Sequence, residues 1–153
     1  MPGFSVTGFQ HAAINTNDFE GTVAFYRDAF GFTVEWQIEM AGEFLSTISG
    51  LSEPRARIAM LTAGTQSIEV WQYLEPLGED KRARPHDLGI THFGLVLTDL
   101  QKAYEELQSK GVRFNCPPQL VSGGRMKGWS ATYCYDPNGI LLELMQPPAP
   151  SAS

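Results

Sequence analysis

The residues around His11 occur a second time around His92, and this internal duplication constrains the fold more than any single predicted element. Gly89-Ile90-Thr91-His92 echoes Gly8-Phe9-Gln10-His11, and Asp99-Leu100 follows His92 as Asp18-Phe19 follows His11, an offset of 81 residues (92 minus 11). Each half closes on a similar run, Ile68-Glu69-Val70-Trp71-Gln72 and Leu142-Glu143-Leu144-Met145-Gln146, with Glu and Gln keeping their spacing at an offset of 74 (143 minus 69). A repeat of this kind makes each copy one supersecondary unit, so an element found in one copy is expected in the other.

The first copy reads as a β-rich run from Gly8 to Asn15, then a helix capped by Asn17 with Glu20 three residues on. Phe19, Val23, Tyr26 and Phe30 share one face of that helix, and Gly31 stops it. Thr33 to Met40 is strand-like, Phe44, Leu45, Ile48 and Leu51 recur at helical spacing, and strands follow at Arg57 to Leu61 and Ser67 to Tyr73. In the second copy Asp99 caps a helix with the stripe Leu100, Ala103, Tyr104 and Leu107, ended by Gly111. The expected architecture is α+β: one domain over 5–146 made of two tandem βαβββ modules, 5–75 and 88–146, joined by a connector over 76–87. The proline-rich stretch 147–153 is expected to be a disordered tail.

Strand periodicity assigns faces to the polar residues. Ile90, His92, Gly94 and Val96 share one face of their strand. Glu143 stands between Leu142 and Leu144, and Glu69 between Ile68 and Val70, where a bare carboxylate costs several kcal/mol unless it is paired. The histidines at equivalent repeat positions are the natural partners. Two His and two Glu, one of each per copy, therefore point to a divalent cation held by His11, Glu69, His92 and Glu143. His86, in the polar run Arg84-Pro85-His86-Asp87, breaks the symmetry and is expected in solvent.

Composition narrows the partners. Seventeen acidic against eleven basic residues give a net charge of −6 over 153 residues, without the concentrated basic face that nucleic acid requires. No apolar run approaches the ~18 residues of a membrane span, and the N-terminal residues lack a secretory pattern, so the expected compartment is the cytoplasm. Cys116 and Cys134 form no CxxC pair and read as small apolar fillers.

Phe25-Tyr26-Arg27-Asp28-Ala29-Phe30-Gly31-Phe32 at the close of the first helix and Asp136-Pro137-Asn138-Gly139-Ile140-Leu141-Leu142-Glu143-Leu144 near the end, within repeated βαβββ units, resemble the vicinal oxygen chelate superfamily. That superfamily includes glyoxalases, methylmalonyl-CoA epimerases, extradiol dioxygenases, fosfomycin-resistance proteins and bleomycin-binding proteins. The resemblance implies a cup-shaped mixed sheet around one metal, ligated by His11, Glu69, His92 and Glu143, and a homodimer. Dioxygenases and fosfomycin transferases leave the position of Glu69 without a ligand, whereas glyoxalases and epimerases fill it with Glu or Gln. Glu69 therefore favours proton-transfer chemistry over oxygen chemistry.

Two imidazoles and two carboxylates suit Zn, Ni, Co, Fe or Mn, and on an octahedral ion leave two positions for a substrate with two vicinal oxygens. The expected function is that of a divalent-metal-dependent lyase or isomerase of the glyoxalase or epimerase type, which removes a proton next to a chelated carbonyl through an enediolate or enolate. By resemblance to glyoxalases, Glu143 acts as base, with Glu69 as a second base or an electrostatic ligand. Candidate substrate contacts are the aromatic residues Trp71, Trp129 and Tyr133, for an apolar pocket, and Arg125 on the loop 122–128. That loop matches neither GxGxxG nor a P-loop and reads as a mobile surface hairpin. The alternatives are an Fe(II) extradiol-type dioxygenase using His11, His92 and Glu143, and a metal-free protein that sequesters a drug as bleomycin-binding proteins do.

Overall fold

The computed structural model describes residues 7–81, 84–90 and 92–149. The start of the first module at residues 5 and 6, the place of Thr91, and the tail from residue 150 onward lie outside the described residues. The chain separates into two compact units, Met1–Asp80 and Lys81–Ser153.

The first unit runs β1 (Ala12–Asn15), α1 (Phe19–Phe30), β2 (Thr33–Ala41), α2 (Glu43–Ser49), β3 (Arg55–Ala63) and β4 (Gln66–Glu75). Its sheet has the order β1-β4-β3-β2, with β1 parallel to β4 and the other pairs antiparallel. The second unit runs β5 (His92–Val96), α3 (Leu100–Ser109), β6 (Gln119–Leu120), β7 (Ser130–Tyr135) and β8 (Leu141–Gln146). Its sheet has the order β5-β8-β7-β6, again with the first strand parallel to the last. The fold is thus α+β, with strand, helix and then three strands in each unit; the short helix expected from Phe44, Leu45 and Ile48 is inserted in the first as α2.

Helix α1 buries Phe19, Thr22, Val23 and Tyr26 and packs on β3 and β4. Ile14, Ala59 and Val70 lie side by side in the register of β1, β3 and β4, and all three are buried. Each large apolar side chain sequestered in this layer is worth about 1.5–3 kcal/mol. In the second unit α3 packs on β8, and Leu100 and Leu107 are buried, as are Cys134, Leu142 and Leu144 of the sheet.

The duplication extends to single hydrogen bonds. Thr16 N–H donates to the Trp71 carbonyl at 2.8 Å, and at the repeat-equivalent place Leu97 N–H donates to the Met145 carbonyl at 2.7 Å. The glutamine that recurs after each glutamate ties the last strand to the start of the helix. Gln72 Nε2 donates to the Asn17 carbonyl at 2.9 Å, and Gln146 Oε1 accepts the Leu100 N–H at 2.7 Å, taking up one of the donors that every helix N-terminus leaves without an intrahelical partner.

Several element boundaries differ from those expected. Asp18, not Asn17, caps α1: its carboxylate accepts from Gly21 N–H at 3.0 Å, while its own N–H donates to Thr16 Oγ1. Asp99 caps α3 as expected, through Lys102 N–H. Gly31 ends α1 in the left-handed conformation, where a side chain would be strained. Strand β1 begins at Ala12, so His11 immediately precedes a strand rather than standing in mid-strand, and His92 is the first described residue of β5. A parallel edge strand is paired on one side only and extends only as far as its neighbour supports it. Helix α2 ends at Ser49, before Leu51, and β4 continues to Glu75.

Candidate metal-binding residues

Register places the histidine and glutamate of each unit together. Ala13 lies beside Glu69 in the parallel pairing of β1 with β4, and Gly94 lies beside Glu143 in that of β5 with β8. Each is the residue two positions after its histidine, so both units use the same register. His11 Nε2 lies 3.2 Å from Glu69 Oε2, and His92 Nε2 lies 3.3 Å from Glu143 Oε2. These side chains are partly covered: Glu69 is 13% exposed and Glu143 25%. The opposite face of each sheet is the one closed by its helix, so the pairs stand on the face the helix leaves open.

His11 Nδ1 is bonded to the side-chain oxygen of Gln10. The other ring nitrogen, Nε2, turns toward the Glu69 carboxylate. A histidine whose second ring nitrogen is bonded to an oxygen acceptor is the usual arrangement of a metal ligand.

The separations suit metal donors. Two ligands at ~2.1 Å from an ion lie ~3.0 Å apart on an octahedral edge and ~3.4 Å apart on a tetrahedral one. The observed 3.2 and 3.3 Å lie between these values. Among the described residues, no three His, Cys, Asp or Glu side chains gather within one cluster; the donors come as one pair per unit. The pairs fit a divalent ion in donor type and spacing.

The aromatic candidates divide. Trp71 Nε1 donates to Glu69 Oε2 at 2.8 Å, and its ring stacks on Tyr73 with centroids 5.7 Å apart. Tyr133 pairs with Glu143 across β7 and β8, and its ring meets that of His92 edge to face at 5.3 Å. Burial, and then the Glu143 charge, push the Tyr133 phenol above its ordinary range. Trp129 and Arg125 belong to the hairpin between β6 and β7, where Val121 N–H donates to the Trp129 carbonyl at 2.8 Å; Arg125 is exposed there. His86 is 73% exposed and lies 4.0 Å from Asp87. Cys116 and Cys134 are free thiols, and burial together with the Asp136 charge pushes Cys134 up to about 12.

Two features escaped the sequence reading. Gln10 as the partner of His11 is one, although an amide beside a candidate ligand was a visible signal. The other is an apolar face around Glu69: Met60 pairs with Glu69 and Trp36 with Met60, while Ile58 pairs with Trp71 and Ile38 with Ile58. Period-two alternation across three strands would have found it once the register was known.

Residues 8–144 match the family model of the Glyoxalase/Bleomycin resistance protein/Dioxygenase superfamily. A 2-epi-5-epi-valiolone epimerase of Actinomyces sp is 28% identical over 157 residues, covering 97% of this chain and 86% of the relative. The uncharacterized protein YaeR of Escherichia coli (strain K12) is 28% identical over 136 residues, covering 89% of this chain and 93% of its own. Among solved structures, a glyoxalase family protein from Bacillus cereus superposes with a TM-score of 0.85 at 19% identity, covering 97% and 99% of the two chains. The trypanothione-dependent glyoxalase I of Leishmania major superposes with a TM-score of 0.64 at 15% identity, covering 92% and 87%. No described helix is long and apolar enough to cross a membrane. With a duplicated βαβββ core and a family match over nearly its whole length, the chain belongs to the Glyoxalase/Bleomycin resistance protein/Dioxygenase superfamily.

Proposed function

We propose that this chain is a divalent-metal-dependent enzyme of the glyoxalase and epimerase type, acting on a small molecule with two vicinal oxygens. The observation that carries this reading is the repeat-related pair of His–Glu contacts, with Nε2 of each histidine turned to a carboxylate oxygen at 3.2 and 3.3 Å. His11, Glu69, His92 and Glu143 are the proposed metal ligands. A divalent ion, when bound, polarises a substrate carbonyl and so acidifies the neighbouring carbon. Glu143 takes the proton from that carbon, and Glu69 remains a ligand. The presence of Glu at position 69 and the epimerase among the relatives support proton transfer rather than oxygen insertion.

The charge pattern bears on the substrate. The described part of the first unit has no lysine, and its arginines are all engaged: Arg27 with Asp28, Arg55 with Glu75 and Arg57 with Glu20. The cations of the second unit, Arg125 among them, are therefore the candidates to meet an anionic part of the substrate.

The test is metal analysis of the purified protein, followed by solvent deuterium exchange into candidate 2-oxo hemithioacetals and 2-substituted acyl-CoA compounds. One divalent ion per chain and exchange without oxygen uptake are expected. Oxygen uptake with catechols would assign the chain to ring cleavage instead, and protein that takes up no metal would assign it to ligand sequestration. Glu69→Ala, which removes the side-chain donor, is expected to keep the fold and weaken metal binding at least tenfold; unchanged affinity would remove Glu69 from the ligand set.

A further inference from the structure

We propose that Trp71 is a positioning residue for Glu69, and that its indole N–H makes the two carboxylates unequal: Glu69 is held by a donor from its own strand that Glu143 lacks. This rests on the metal reading above. Trp71 follows Glu69 by two residues on β4, so the two side chains share a face of the sheet. Its Nε1–H donates at 2.8 Å to Oε2, the same oxygen that lies 3.2 Å from His11 Nε2. A hydrogen bond to an ionised carboxylate is among the stronger ones and fixes which oxygen faces the histidine.

The donor is itself immobilised. The Trp71 ring stacks on Tyr73 at an interplanar angle of 25° and packs against the cluster of Leu45, Ala56 and Ile58. Its carbonyl is held by Thr16 N–H. The second unit supplies an internal control, because the residue at the equivalent place is Met145. Met145 accepts the matching backbone bond from Leu97, but its side chain has no N–H to give Glu143. Met145 Cε approaches Gly94 instead. The duplication has kept the backbone and the His–Glu pair while placing a side-chain N–H two residues beyond only one of the glutamates.

Trp71→Phe keeps an aromatic ring and removes the N–H. The expected result is a roughly tenfold loss of zinc affinity and an altered visible spectrum of the cobalt-loaded protein, with thermal stability nearly unchanged. Met145→Leu should move neither, and in a Glu69→Ala background Trp71→Phe should add little. A second measurement uses the unaltered chain: of the three tryptophan indole N–H resonances, one should shift on zinc addition and be displaced by Glu69→Ala. Zinc uptake with an unchanged affinity and cobalt spectrum in Trp71→Phe overturns the positioning role alone, as does an indole spectrum indifferent to zinc. A parent protein that takes up no divalent metal overturns the metal reading, and this one with it.

Discussion

The two units set their glutamates between the same kinds of neighbour in opposite order. Glu69 faces Met60 across the strand pair and has Trp71 two residues on, whereas Glu143 faces Tyr133 across the pair and has Met145 two residues on. In the first unit the aromatic residue donates to the carboxylate; in the second it leans edge-on against the histidine. The fold asks only for bulky side chains at both places, and either order fills the space. Chemistry at the carboxylates, unlike packing, depends on which neighbour carries a donor.

The same kind of divergence occurs on the helix-covered faces, where it predicts the largest difference between the units. Cys134 stands next to Tyr133 on β7 as Leu61 stands next to Met60 on β3, and both are fully buried. Only Cys134 ionises. Its thiol is pushed from 9.0 up to about 12 by burial, so above pH 9 the unfolded chain releases a proton that the folded chain keeps. The stability this thiol contributes is complete below pH 9 and declines as pH rises toward about 12. Cys134→Leu, copying the first unit, is expected to flatten that alkaline branch of the urea-midpoint profile; identical profiles would show that the thiol does not titrate there. At pH 8 the half-buried Cys116 should react with a thiol reagent well before Cys134.

How much of this was legible follows from what repeats. The pairing of His11 with Glu69 and of His92 with Glu143 could be read from the sequence because both offsets are fixed by strand geometry. The N-cap of α1 could also have been read, since the equivalence of Asp18-Phe19 with Asp99-Leu100 already pointed to Asp18. Asn17 is an equally good cap in isolation, but at Asp18 the carboxylate meets Gly21, where an added Cβ would lie 2.1 Å from Asp18 Oδ2. The direction of the Trp71 indole was not legible, because strand periodicity assigns a face and not a rotamer. Nor was the role of Gln72 and Gln146, whose spacing was visible while their partners lie on another element.

Those two glutamines predict an intermediate effect that differs between the units. Gln146 accepts a part-buried backbone N–H at the start of α3, and Gln146→Ala leaves that donor unpaired, at about 1–3 kcal/mol. Gln72 donates to an exposed carbonyl that water can serve, and Gln72→Ala should cost only about 0.5–1 kcal/mol. Urea denaturation of the two variants measures both. Equal losses would mean that the clamps are interchangeable and that the units are more alike than their hydrogen bonds indicate.

The smallest difference concerns the residues beside the glutamates, Ala13 in the first unit and Gly94 in the second. A Cβ built on Gly94 would lie 2.6 Å from Met145 Cε, so Gly94→Ala requires that methyl group to move. It is the free end of a flexible thioether chain, which can take another rotamer at modest cost. Against this, alanine removes the excess freedom of glycine in the unfolded chain, worth roughly 0.5–1 kcal/mol. The two effects nearly cancel, and Gly94→Ala is expected within about 0.5 kcal/mol of the parent, with a displaced Met145 methyl resonance as the visible sign. Ala13→Gly has no such compensation and should lose roughly 0.5–1 kcal/mol. A Gly94→Ala loss above about 2 kcal/mol would mean that Met145 is held as firmly as Trp71, and the contrast between a fixed neighbour of Glu69 and a yielding neighbour of Glu143 would fail.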